Sequence, residues 1–100
     1  MLHYSIVTLT PTDENRIPGY LAGVTPLVAK HGGKYLVRTT DFRHFEAGGR
    51  APALLVLLEW PSKEAFDAFY NDPDYQPHLK NRLAGCGGDF FSVDGKDDMA

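Results

Sequence analysis

From Tyr4 to Leu9 apolar residues fall on both faces of an extended chain, Tyr4 and Ile6 on one and Val7 and Leu9 on the other, which predicts a first strand ending at Thr10-Pro11-Thr12-Asp13. The period then lengthens. Ile17, Tyr20, Leu21, Val24, Leu27 and Val28 recur at the three- and four-residue spacing of one helical face, with Thr12 or Asp13 as the cap and Gly32-Gly33 as the stop. Pro26 lies inside that helix and predicts a kink near Ala22 to Pro26. Lys34 to Phe45 reads as one long strand, bulged or bent at Thr39-Thr40-Asp41 and ended by Gly48-Gly49. Ala53 to Leu58 is apolar on both faces, as a covered central strand requires, and Trp60-Pro61 closes it. Ser62 caps a second helix carrying Ala65, Phe66, Phe69 and Tyr70. That helix breaks at Asn71-Asp72-Pro73, and a short third helix follows over Tyr75 to Ala84. Gly85-Cys86-Gly87-Gly88 predicts a turn, Phe90 to Val93 the last strand, and Lys96 to Ala100 a frayed polar tail after a single domain over residues 1–95.

The order β, α, β, β, α, short α, β is that of the split βαβ motif, an α+β fold of ferredoxin-like βαββαβ topology. Its right-handed crossovers put the helices on one face of a four-stranded antiparallel sheet. The other face is then bare and apolar, because the Leu54 to Leu58 strand is apolar on both sides. A second copy of the sheet is the economical cover, so the pattern predicts a homodimer packed sheet to sheet as a dimeric α+β barrel.

The residue inventory narrows the function classes. One hundred residues suit one domain, and the 43% hydrophobic content excludes intrinsic disorder. A net charge of −3 with scattered Lys and Arg residues argues against nucleic acid as a partner. The longest apolar run, Ala53 to Leu58, is too short to cross a membrane. The lone Cys86 precludes an internal disulfide, and the start Met1-Leu2-His3-Tyr4-Ser5 has no secretory pattern, so a cytoplasmic location is expected.

Several pieces together resemble the family called DUF1330. They are Tyr20, the run His31 to Arg38, Glu46-Ala47-Gly48, Trp60-Pro61-Ser62, Tyr70 to Tyr75, and Arg82. The resemblance spans roughly Tyr4 to Gly95. Thr39-Thr40 departs from the glycines frequent after the arginine, and Trp60 from the usual phenylalanine. The family is similar to the dimeric α+β barrel proteins, which implies the same fold and dimer but no particular reaction; relatives of that architecture include cofactor-free monooxygenases, isomerases, cyclases and haem enzymes.

Candidate chemistry is sparse. His3, His31, His44 and His78 have no metal-ligand spacing, so neither a metal nor a cofactor is expected. None of the serines sits in a nucleophile elbow, and nothing in the sequence places a base beside Cys86. Arg38 ends the apolar run Tyr35-Leu36-Val37, so its guanidinium either pairs with a carboxylate such as Glu46 or receives an anion in a pocket. His31, three residues after Val28, is either a helix-end histidine or a general base. The catalytic candidates are therefore His31, Arg38 and Glu46. Tyr20 and Tyr75, as hydroxyls between helices and sheet, and Arg82 on the short helix are the substrate-binding candidates. Two functions compete: a binder or enzyme for a small anionic or carbonyl-bearing molecule, and a non-catalytic dimeric module that associates with another protein.

Overall fold

The computed structural model describes residues 1–46 and 52–100. Strand β1 (His3–Pro11) leads through a 3₁₀ turn at Glu14–Arg16 into helix α1 (Ile17–Lys30), followed by β2 (Lys34–Thr39) and β3 (Leu54–Trp60). Helices α2 (Lys63–Tyr70) and α3 (Gln76–Gly85) then precede β4 (Cys86–Asp94). The sheet order is β2-β3-β1-β4 with every neighbouring pair antiparallel, the ferredoxin-like α+β arrangement. The sheet of a single chain does not close on itself.

Alternation decides which side each strand residue serves. His3, Ser5, Val7 and Leu9 of β1, and Val56, Leu58 and Trp60 of β3, are buried toward the helices. Tyr20, Val24 and Val28 of α1, Phe66 and Phe69 of α2, and Tyr75 complete this core. Trp60 is fully buried, and its indole Nε1 donates to Ser5 Oγ at 2.9 Å, so the one polar atom of a large core residue is satisfied. The opposite face carries rows of cross-strand neighbours: Val93, Tyr4 and Glu59; Phe91, Ile6 and Leu57; Asp89, Thr8 and Leu55. Ile6, Phe91 and Val93 are exposed there, Phe91 at 60%.

Local chemistry explains the helix boundaries. Asp13 caps the 3₁₀ turn, accepting from the Asn15 N–H at 3.2 Å, while α1 itself begins without a side-chain cap at Ile17-Pro18. The expectation that Thr12 or Asp13 caps α1 directly is corrected by this intervening turn. Helix α1 runs unbroken through Pro26, and Thr25 Oγ1 donates to the Leu21 carbonyl at 2.7 Å just ahead of it. Gly32 ends the helix with φ +78°, a left-handed conformation that glycine accepts at no steric cost. Ser62 caps α2 by accepting from the Ala65 N–H at 3.2 Å, as its type predicts.

Two expected elements differ. The second strand stops at Thr39, and Phe42 to Phe45 lie outside any strand; Thr39 Oγ1 takes the Asp41 N–H at 2.9 Å, a local bond that replaces the ladder. Its bulge falls between Tyr35 and Val37 rather than at Thr39-Asp41. The proposed stop at Gly48-Gly49 lies outside the described residues. Gly85-Cys86-Gly87-Gly88 is not a turn: α3 passes directly into β4 at Cys86, which pairs with Pro11. Gly88 has φ +126°, and a Cβ there would stand 1.9 Å from the Thr8 carbonyl oxygen. Glycine is needed at that position for close approach of two strands, a requirement that looks like a turn signal in sequence.

Candidate functional site

The bulge in β2 decides where its arginine points. Tyr35 pairs with Leu58, and after the shift Val37 pairs with Leu57 and Arg38 with Val56. Leu58 and Val56 both face the helices, so Tyr35 and Arg38 share the helix side although they are three residues apart. In a regular strand Arg38 would fall on the opposite face. The Arg38 guanidinium lies 3.8 Å from the centre of the Tyr35 ring and donates to Thr25 Oγ1 at 2.8 Å. Among the described residues no carboxylate pairs with it. Of the two alternatives for Arg38, the ion pair with Glu46 does not form, and Glu46 is exposed.

Arg38 stands at the mouth of a cavity between α1 and the sheet. Val7, Val24, Val28, Val56, Leu58 and Phe69 give it an apolar wall, and Tyr20, Tyr35 and Tyr75 contribute phenols. The cavity is small, about 30 Å³, room for one or two water molecules. An open apolar groove of about 350 Å³ adjoins it, sharing Leu9 and Leu21 and extending past Ile17, Pro18, Thr40, Ala53 and Leu54.

The Tyr20 and Tyr75 phenols are held apart from solvent, and Tyr35 is half-buried. The Tyr20 and Tyr75 hydroxyls are 3.3 Å apart, and Tyr75 is fully buried. Burial, then the neighbouring Tyr75, pushes the Tyr20 phenol far above its ordinary value of 10.0, while the charge of Arg82 opposes the shift. Burial likewise raises Tyr35, against hydrogen bonding to Thr25 and the charge of Arg38. Arg82 itself is buried on α3, at 9% exposure, with its guanidinium 5.4 Å from the centre of the Phe90 ring. Its Nε is buried without a hydrogen-bond partner among the described residues. Arg82 also lowers the Cys86 thiol, which burial raises more strongly, so a cation does stand near this cysteine.

His31 is placed elsewhere. At the C-terminal end of α1 its Nε2 meets Asp72 Oδ2 at 2.8 Å, and its ring packs edge-on against Phe69. Asp72 is nearly buried and also accepts from Lys30 Nζ at 2.9 Å and from the Asp74 N–H at 2.9 Å. Hydrogen bonding from His31, followed by that from Asp74 and Lys30, holds its carboxyl well below the ordinary carboxylate range. This group ties α1 to the connection between α2 and α3. The structure thus brings Tyr20, Tyr75 and Arg38 to one cavity with Arg82 behind it, and leaves His31 and Glu46 outside the lining. Tyr35 and Thr25 join the site unannounced by the sequence, because only the bulge reveals that Tyr35 and Arg38 face the same way.

The family model described as a domain of unknown function, DUF1330, matches residues 3–96. The chain belongs to the DUF1330 family. No curated protein matches it. Among solved structures it is similar to a protein of unknown function from Rhodopseudomonas palustris, at 18% identity over 96% of this chain and 82% of that one, with a TM-score of 0.76. A dimeric ferredoxin-like protein of unknown function from Jannaschia sp. CCS1 is 22% identical over 94% of this chain and 99% of that one, with a TM-score of 0.77. SnoaB, a cofactor-independent oxygenase from Streptomyces nogalater, is 13% identical over 98% and 96%, with a TM-score of 0.68. At these identities the likeness establishes the fold of this DUF1330 member and leaves its activity to the site.

Proposed function

We propose that this DUF1330 protein is a homodimer that binds a small apolar molecule bearing an anionic or carbonyl oxygen, one per subunit, between α1 and the sheet. The observation that carries the reading is the β2 bulge, which turns a guanidinium without a carboxylate partner among the described residues toward an apolar cavity. The groove along Leu21 and Leu54 suits the apolar body of the ligand. Arg38 holds its oxygen; Tyr20 and Tyr75 supply hydroxyls farther in, and the buried Arg82 adds positive potential behind them. The Tyr20 and Tyr35 phenols, both displaced upward, stay protonated and act as hydrogen-bond donors. Proton transfer by His31 or Glu46 would require a ligand that reaches beyond the lining described above.

The uncovered sheet face supports the dimer. Ile6, Phe91 and Val93 form one apolar patch with Leu55 and Leu57, and a sheet-to-sheet contact would bury it. A similar fold described as dimeric agrees with that reading.

Titration with 2-naphthoate and with 2-acetonaphthone, followed by the side-chain NMR signals of Arg38 and the tyrosines, tests the proposal. Both probes should shift Arg38 Nε and Tyr35, and Arg38→Ala should weaken naphthoate by about tenfold, the loss of one charge-assisted hydrogen bond. Probes that leave these signals unmoved at millimolar concentration, or that bind Arg38→Ala equally well, would favour the protein-association module instead.

A further inference from the structure

Register brings three chemically matched side chains together at the free edge of the sheet, away from the cavity. His3 pairs with Asp94 and Ser5 with Ser92 across the β1–β4 ladder. Both pairs face the helices, so His3, Ser92 and Asp94 form one cluster on that side. His3 Nδ1 lies 2.8 Å from Asp94 Oδ1, and His3 Nε2 is hydrogen-bonded to Ser92 Oγ. Donation from Nδ1 to the carboxylate fixes the tautomer and leaves the Nε2 lone pair to accept from the serine hydroxyl. His3 is buried against the Phe66 ring, whereas Ser92 is exposed. The base is thus held rigidly while the hydroxyl is open to solvent. A clamp between β1 and β4 needs only the His3–Asp94 pair; the added serine on the second nitrogen is the arrangement that acyl transfer uses.

The edge also offers donors. Gly95 N–H bonds to the Leu2 carbonyl at 2.9 Å, so in the alternating antiparallel pattern the N–H groups of Ser92 and Asp94 point away from β1. No strand lies beyond β4 among the described residues. The Ser92 N–H is therefore available to a carbonyl oxygen whose carbon is attacked by the Oγ of the same residue.

We infer that Ser92, His3 and Asp94 form a nucleophilic site that hydrolyses small carboxylic esters approaching the β4 edge from solvent. Ser92 Oγ attacks the ester carbonyl carbon as His3 Nε2 takes the hydroxyl proton. The tetrahedral adduct collapses, its bond to the leaving oxygen breaks, and His3 returns the proton to that oxygen. Water, deprotonated by His3, then attacks the acyl-serine; the bond from the acyl carbon to Ser92 Oγ breaks, His3 returns the proton to Oγ, and the carboxylic acid leaves. Asp94 is the positioning residue, holding the imidazole through Nδ1.

The test is labelling of the full chain by an alkyl fluorophosphonate, with fluoride displaced by Ser92 Oγ and the modified peptide located by mass spectrometry, alongside p-nitrophenyl acetate turnover. The expected result is one label, on Ser92, competed by the ester and abolished in Ser92→Ala. His3→Gln and Asp94→Ala should each slow it by about 100-fold or more. Should His3→Gln fail to fold, Asp94→Ala, which alters a partly exposed carboxylate, carries the test. A folded protein that takes no label, takes it on another residue, or reacts as fast in Asp94→Ala would overturn the inference.

Discussion

Removing the hydroxyl of Tyr75 strands that of Tyr20, and the geometry sets how much this costs. Both rings are buried, and their oxygens are 3.3 Å apart, beyond the range of about 2.5–3.0 Å usual for O–H···O bonds. The bond is therefore weak, about 0.5 kcal/mol net, while an abandoned buried hydroxyl costs about 1–3 kcal/mol. Tyr75→Phe and Tyr20→Phe should each destabilise the protein by about 1–2 kcal/mol, a fall in Tm of about 4–8 °C per kcal/mol for a chain of this size. The double variant leaves no orphan, so it should be about as stable as the parent, and the cycle should show a coupling energy of about 1 kcal/mol or more. Urea unfolding of the four proteins measures this directly. Two losses that simply add in the double variant would mean that each hydroxyl has its own partner, and the reasoning about a loosely paired phenol couple facing the cavity would fail.

Other consequences follow from particular contacts. Ser5→Ala should cost about 1–3 kcal/mol by leaving the buried Trp60 indole N–H unpaired, read as a drop in the urea midpoint. The Asp72 carboxyl is held below its ordinary 3.8, so its contribution is complete above about pH 4 and is lost as pH falls toward its folded value; Asp72→Asn should flatten the stability profile between about pH 4 and pH 2. Lys30 is raised above 10.5 chiefly by its hydrogen bond to Asp72, so its contribution is present below that pH and lost above it. Gly33→Ala would place a Cβ 2.6 Å from the Trp60 ring, and circular dichroism melting should show a lower Tm. Phe91→Asp on the uncovered sheet face should convert a dimer to a monomer in light scattering without unfolding it.

The elements that were legible in the sequence are those whose burial has a simple period. The pattern over Tyr4 to Leu9 separates Ile6 from Val7 and Leu9 without saying which face is covered, and the structure buries Val7 and Leu9 and leaves Ile6 on the bare face. The α1 stripe and the Ser62 cap were equally plain. The β2 bulge was legible only as an irregularity: nothing about Leu36 marks it as the extra residue, since the shift arises from pairing with β3 and not from local preference. The sequence left Arg38 between a carboxylate partner and a pocket, and the displaced bulge sets it beside Tyr35 and Thr25. Gly88 reads as punctuation because close strand approach and a turn demand the same residue. Asp72 was visible as a helix breaker, but its bond to His31 joins residues far apart in the chain. His3 and Ser92 are nearly a chain length apart, and only the β1–β4 register makes them neighbours.

A crystal structure of the protein soaked with 2-naphthoate tests the binding site most directly. The naphthalene should lie in the groove between Leu21 and Leu54, with a carboxylate oxygen about 2.7–2.9 Å from the Arg38 guanidinium. A groove that stays empty, or naphthoate seated only on the uncovered sheet face with Arg38 still on Thr25, would contradict the proposed site.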